Sequence, residues 1–315
     1  MLHPASAGTI AGLFGLGDGA VLSDAPVARG KQGQVWCLDT QLGRWAVKET
    51  FRPLHESEIT GAAEFQEAVR ATGVLVPRVI RSTEGALLAR VNRTQVRVYA
   101  WVELLAPDID ADPVLIGRTV GGIHRVRRST REPLDEWYSA PVGADRWDRL
   151  VAELRAARAP FSESLAQMRD ELIALEEWIE PARRLQTCHR DLWADNILPT
   201  PAGDVCVIDW DGCGPADPSQ ELACVLFEFG SGSPGRTRAL YRAYVDADGP
   251  GRVENTGCFS MLIAQLGHIG EAACRDWLQP NARSPRRADS ASWFAELVER
   301  PHHRHVLREI LDAVS

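Results

Sequence analysis

No stretch of this 315-residue chain approaches the roughly 18 consecutive apolar residues of a membrane-spanning helix, so no membrane partner is expected. The first segment, Met1 to Ala20, lacks a basic start, and Asp18 interrupts its apolar character, which argues against a secretory leader. Paired cysteines are missing too. The seven cysteines, at positions 37, 188, 206, 213, 224, 258 and 274, are odd in number and never adopt C-x-x-C spacing. Neither a disulfide framework nor a zinc site is indicated, and free buried thiols in a reducing cytoplasm are expected. Positive charge is in deficit: 35 Lys and Arg against 43 Asp and Glu leave a net charge of −8. That argues against nucleic acid, whose phosphate backbone wants clustered Lys and Arg, and favours a cationic small ligand. No internal repeat and no low-complexity segment is present. What remains, 45% hydrophobic and 25% charged, is the composition of a soluble globular protein long enough to bury a sizeable core.

Against this plain background one segment stands out. His189-Arg190-Asp191-Leu192-Trp193-Ala194-Asp195-Asn196 reads H-R-D-L-x-x-x-N, the catalytic-loop pattern of phosphoryl-transferring kinases. Downstream, Val205-Cys206-Val207-Ile208 is an apolar strand that delivers Asp209 at its end, followed by Trp210 and Asp211. In-line transfer of a γ-phosphoryl group needs a carboxylate to take the acceptor's hydroxyl proton, and oxygen ligands to hold Mg²⁺ against the phosphates. Asp191 supplies the first; Asn196 and Asp209 supply the second.

A phosphate-binding lysine is expected on a strand. Val35 to Lys48 forms two β-type runs about a turn at Gln41-Leu42-Gly43, and Ala46-Val47-Lys48 matches the V-A-I-K type of strand. Just upstream, Gly30 and Gly33 bracket a loop whose backbone N–H groups are candidates to cover phosphates. Residues 57–72 have helical periodicity ending at Gly73, and Glu64 is the chosen partner for Lys48, with Glu58 and Glu67 as rivals. A strand from Gln95 leads to Ala100, Trp101 and Val102, whose backbone is the expected adenine contact, before a Pro/Asp-rich stretch from Pro107 to Pro113.

In these residues the chain resembles the aminoglycoside phosphotransferase and choline-kinase-like family. The resemblance runs from about Gly30 to about Phe229. It is carried by His189-x-Asp191-x₄-Asn196, by Ile208-Asp209-Trp210-Asp211 followed by Gly214-Pro215-Ala216-Asp217, and by the segment Ile116 to His124. It implies a two-lobed α+β protein-kinase-like fold, ATP (sometimes GTP), Mg²⁺ and a small-molecule hydroxyl as acceptor. By that resemblance Asp191 is the base, Asn196 and Asp209 are the metal ligands, and Lys48 with Glu64 positions the phosphates. The chain departs from many members in having Arg190 after the histidine, as protein kinases do. Yet Asp209 is followed almost at once by a helix from Ser219, its expected cap, with no A-P-E and no room for a peptide-docking segment.

The expected organisation is a β-rich, nucleotide-covering N-lobe over residues 1–103 and a mainly helical C-lobe over 104–315. Residues 145–180 and Phe259 to Leu278 look helical, and Pro280 to Ala288 reads as an Arg/Pro-rich loop. Trp193 either lines the acceptor site or packs in the core. Arg190 either neutralises phosphate charge or ties to a carboxylate. Glu228 and Glu271 are candidate acceptor contacts, and His302, His303 and His305 form a solvated cluster. The acceptor is expected to be an antibiotic, with choline, homoserine or a sugar as alternatives. A nucleotide-binding regulatory pseudokinase is the reading from another class.

Overall fold

The computed structural model describes residues 1–30, 32–230, 232–279, 291 and 302–315; the expected loop from Pro280 to Ala288 lies outside them. Its strands begin with β1 (Val21–Leu22), β2 (Ala28–Arg29), β3 (Gly33–Thr40), β4 (Gly43–Thr50), β5 (Val79–Ile80), β6 (Ala89–Val91) and β7 (Thr94–Ala100). All pair antiparallel in one sheet, ordered β1-β3-β4-β7-β5, with β2 beside β3 and β6 beside β7. The expected hairpin is β3–β4, closed by Gln41-Leu42 between the paired Thr40 and Gly43.

Period-2 alternation then sorts the side chains. Val47 and Val98, opposed in register, are fully buried with Ile10, Phe14 and Leu38 in a core that takes in helix α1 (Ala7–Phe14). Lys48 and Arg97, one residue further along each strand's register, face the other way. Helix α2 (Glu56–Ala71) ends at Gly73, whose φ of +91° is open to glycine at little cost.

By its internal packing the chain divides into two units, Met1–Asp108 with Asp195–Cys213, and Ile109–Ala194 with Gly214–Ser315. Residues 195–213, expected in the second lobe, therefore belong with the first, and the first contiguous stretch ends at Asp108, beyond the expected residue 103. The cause is a small hairpin, the two strands Ile197–Pro199 and Val205–Val207. It accepts the Leu105 N–H at Pro199 O (2.8 Å) and donates Val207 N–H to Leu75 O (3.1 Å).

The second unit is mainly helical. It contains α3 (Pro113–His124), α4 (Ala144–Ala156), α5 (Ser162–Glu176), α6 (Pro218–Gly230), α7 (Pro234–Asp246), α8 (Ser260–Leu278) and α9 (Arg304–Val314). A two-stranded ribbon pairs Gln186–Cys188 with Gly214–Ala216. The expected helical stretch over 145–180 breaks into α4 and α5, because Arg158 adopts φ +56° and Pro160 follows. Its apolar stripes pack as anticipated, with Trp147, Leu150, Leu154, Leu165 and Leu172 in one core with α8's Cys274. Gly117 lets α3 touch α7 closely: a Cβ there would sit 2.2 Å from Leu240 O. Helix α6 is capped by Asp217, whose carboxylate accepts Ser219 N–H (2.9 Å), so Ser219 is not the cap itself.

Candidate active site

In the first unit the hairpin closes through Ile208 N–H donating to Asn196 O (2.9 Å). Asn196 and Asp209 thereby leave the same end of one hairpin. Asp209 adopts φ +56°, ψ +61°, a left-handed conformation that costs a non-glycine residue of order 1–3 kcal/mol. The turn is held by Trp210, which is 4% exposed. Its indole N–H donates to Val207 O (3.0 Å), and its ring meets Phe65 of α2 edge-on at 5.7 Å. With Trp210 buried between them, Asp209 and Asp211 both reach Lys48.

Lys48 Nζ lies 2.8 Å from Asp209 Oδ1 and 2.8 Å from Asp211 Oδ2. Asp211 is also gripped bidentately by Arg97, both bonds being 2.6 Å. Burial raises the Asp211 carboxyl, but the Arg97 hydrogen bonds and the Lys48 charge hold it far below the ordinary carboxylate range. Burial likewise lowers Lys48, and the two aspartates more than reverse that. The two aspartates differ in kind: both Asp211 oxygens are taken by Arg97, whereas Asp209 is half exposed and, among the described residues, pairs with the lysine. Oxygen donors at Asn196 and Asp209, one already holding an ammonium, suit a hard divalent cation.

These partners differ from the expected one. Glu64 is an exposed residue of α2 with an interaction of its own, while among the described residues Lys48 forms its ion pairs with aspartates of the 209–211 turn. The rivals are occupied within their own surroundings. Glu58 caps α2 at His55 N–H (2.5 Å), and Glu67 accepts Val79 N–H (3.0 Å). Of the expected adenine contacts, Ala100 N–H donates to Arg78 O (2.9 Å) and Trp101 N–H to Arg44 O (3.1 Å). The amides of Ala100 and Trp101 are thus engaged within the first unit. Gly30 follows β2 and donates its N–H to Gly33 O (3.0 Å) at the start of β3, and Gly33 is required by packing: a Cβ there would lie 2.4 Å from Glu49 O.

In the second unit the segment bearing Asp191 is fastened through its backbone. Glu221, on α6 and 1% exposed, accepts the N–H of His189 (3.3 Å) and the N–H of Arg190. Its Oε2 also meets His124 Nε2 at 2.6 Å. His124 ends α3, as the sequence indicated, and its Nδ1 is 2.9 Å from the Tyr244 hydroxyl, which accepts Gly251 N–H (2.8 Å). Both ring nitrogens of His124 are thus hydrogen-bonded, Nδ1 to Tyr244 and Nε2 to Glu221. Burial raises Glu221, yet the His124 bond and the Arg190 amide bring it below the ordinary value. Cys188 lies within 4.8 Å of these same ligand atoms, but both ring nitrogens of His124 are already engaged.

Arg190 adopts φ +67°. Its guanidinium sits over the Tyr138 ring at 4.4 Å, and a Cβ on Gly214 would collide with it at 2.6 Å. Its carbonyl accepts Gln265 Nε2 (3.3 Å). Asp191 and Trp193 are half-buried, and Glu228 accepts Ala194 N–H (3.1 Å), holding the chain just after them. Glu271 is 7% exposed and held by Arg275 (2.8 Å), Arg146 (3.2 Å) and His268 (3.4 Å). Both proposed acceptor carboxylates thus have internal partners. The histidine cluster is corrected in part: His302 is 2% exposed, and neither ring nitrogen has a partner among the described residues. Four of the free thiols, Cys188, Cys206, Cys224 and Cys274, are buried, and burial pushes Cys206 and Cys274 up to about 12; Cys37, Cys213 and Cys258 are only part-buried. Among the described residues no helix is long and apolar enough to cross a membrane.

A curled antiparallel sheet followed by a helical unit defines a protein-kinase-like fold, and solved structures agree. Spectinomycin phosphotransferase, APH(9)-Ia, in complex with ADP and spectinomycin, is similar at TM-score 0.69 and 15% identity, covering 100% of this chain and 98% of that one. Amicoumacin kinase with AMP-PNP and Ca²⁺ is similar at TM-score 0.60 and 13% identity, covering 93% and 92%. A choline/ethanolamine kinase family protein from Mesorhizobium loti is similar at TM-score 0.57 and 16% identity, covering 98% of each. No curated protein sequence matches. The pattern of the phosphotransferase enzyme family (APH) matches residues 25–255. The chain belongs to that family and is a small-molecule phosphotransferase.

Proposed function

We propose that the protein transfers the γ-phosphoryl group of ATP or GTP to a hydroxyl of an antibiotic, serving resistance or self-protection. Asp191 orients the acceptor hydroxyl and takes its proton. Asn196 and Asp209 would hold Mg²⁺, which would supply neutralisation of the phosphate charge. Lys48 meets the α- and β-phosphates, and Trp193 offers the acceptor a flat apolar wall with one donor. Most of the rate gain comes from positioning and electrostatics, as a loose phosphoryl-transfer transition state requires.

The observation that carries this reading is the hairpin bond between Ile208 and Asn196, which starts Asn196 and Asp209 from one point, with Lys48 already on Asp209. Resemblance of fold to phosphotransferases of spectinomycin and amicoumacin supports an antibiotic acceptor; resemblance to a choline/ethanolamine kinase family protein keeps a metabolic alcohol as the second reading. The test is a mass-spectrometric screen for phosphoryl gain. Purified protein, Mg²⁺, ATP and GTP meet a panel of antibiotics and hydroxylated metabolites, with Asp191→Ala as the blank. A phosphorylated antibiotic absent from the blank is the expected result. Phosphorylation of a metabolite alone moves the acceptor to the second reading. Nucleotide binding without any turnover overturns both.

A further inference from the structure

Lys48 and Arg97 stand directly opposite one another on adjacent antiparallel strands. Like charges in that position repel, and here both are largely removed from water: the Lys48 side chain is 17% exposed and that of Arg97 7%. Asp211 lies between them, taking Arg97 with both oxygens and Lys48 with one. Asp209 adds a second carboxylate to the lysine. Two cations and two anions balance as the structure stands.

We propose that Arg97 is a positioning residue that absorbs the charge of Asp211, so that Lys48 keeps its own charge for the nucleotide's phosphates. The inference rests on the phosphotransferase reading. When Asp209 turns to a divalent cation, the remaining group of Lys48, Asp211 and Arg97 carries one net positive charge. A lysine paired with a single helix carboxylate would carry none. Asp211 is thus the fixed anchor of the lysine and Asp209 its exchangeable partner. Arg97 does this from behind. It is 6% exposed, and the cavity it lines with Asp211, Tyr99 and Trp210 measures only about 10 Å³, room for at most one water.

The test reads affinity against ligand charge, by calorimetry with Mg²⁺ and the nucleoside, its diphosphate and its triphosphate, in the adenine and guanine series. Arg97→Met leaves Lys48 and Asp211 cancelling. Triphosphate affinity is expected to fall on the order of 10-fold, diphosphate less, and the nucleoside not at all. Arg97→Met/Asp211→Asn restores one net positive charge, and triphosphate affinity is expected to recover to within about 3-fold of wild type, roughly 0.7 kcal/mol. A double variant that melts no lower than Arg97→Met yet binds triphosphate as weakly overturns the proposal. So does an equal loss for all three ligands, which is what a purely structural role would give. Should Arg97→Met not fold, Asp211→Asn alone decides: it leaves two net positive charges, so triphosphate affinity is expected to rise relative to the nucleoside, and an unchanged or lower value overturns the proposal. A wild-type chain that binds no triphosphate overturns the phosphotransferase reading, and the proposal falls with it.

Discussion

Glu221 is the residue on which the catalytic segment hangs. Its carboxylate accepts the His189 and Arg190 amides and the His124 ring, and it is 1% exposed. Glu221→Gln keeps the shape but replaces one oxygen by an NH₂ group that faces a donor. A charge-assisted hydrogen bond contributes about 1.5–3 kcal/mol, and a buried donor left without a partner costs about 1–3 kcal/mol more. With partial relaxation the expected loss is about 3 kcal/mol, or roughly 6–12 °C in Tm. The functional effect should exceed what that loss alone explains at 25 °C. Arg190 is held at φ +67°, and losing its amide bond frees the backbone that sets Asp191. A misplacement near 1 Å costs on the order of 100-fold in kcat. Nucleotide affinity should barely change, because Lys48, Asn196 and Asp209 belong to the other unit. The assay is steady-state phosphoryl transfer below the variant's melting range, beside nucleotide Kd by calorimetry. A variant with kcat within about 2-fold of wild type would falsify the reasoning, as would equal losses in kcat and nucleotide affinity.

Asp191→Ala should abolish transfer while sparing nucleotide binding, and Asp209→Ala should damage both; transfer assays and calorimetry check this, and full activity in either sinks the assignment. Trp193→Ala should raise the acceptor KM with nucleotide KM unmoved, measured once the acceptor is known; an unchanged acceptor KM removes the wall. Gly117→Ala should destabilise by about 1–3 kcal/mol through overpacking at Leu240 O, read by urea unfolding, with no change in m-value. His302 is held neutral, its pKa lowered by burial, and further by His303, from 6.5 to about 4, with Glu171 opposing. The unfolded chain binds that proton first, so this stability is whole above about pH 6.5 and falls as pH drops towards 4, by about 3 kcal/mol in all. Replacing His302 by Phe should flatten that part of the acid profile in urea titrations; an unchanged slope refutes the burial argument.

How far the sequence can be read depends on whether a residue acts through its own side-chain type or through what it faces. Asp191, Asn196, Asp209 and Lys48 stand in spacings set by their chemistry, and the hairpin bearing Lys48 follows from alternation and a turn. Glu221 was missed because its partners are two backbone amides, which leave no mark on the sequence. The signal was nonetheless there. From Pro218 to Phe229 only Ser219 and Glu228 are not fully buried, so periodicity offers Glu221 no solvent face, and a carboxylate in such a helix must be paired. Arg97 was missed for the same reason one level up. Val96 and Val98 mark it as interior to a strand, but only the register of β7 against β4 sets it opposite Lys48. That register also explains why the carboxylate expected on α2 is found on the 209–211 turn. Two buried cations side by side require an anion between them, and Asp211, two residues beyond Asp209 and across the buried Trp210, is the one whose backbone delivers it there.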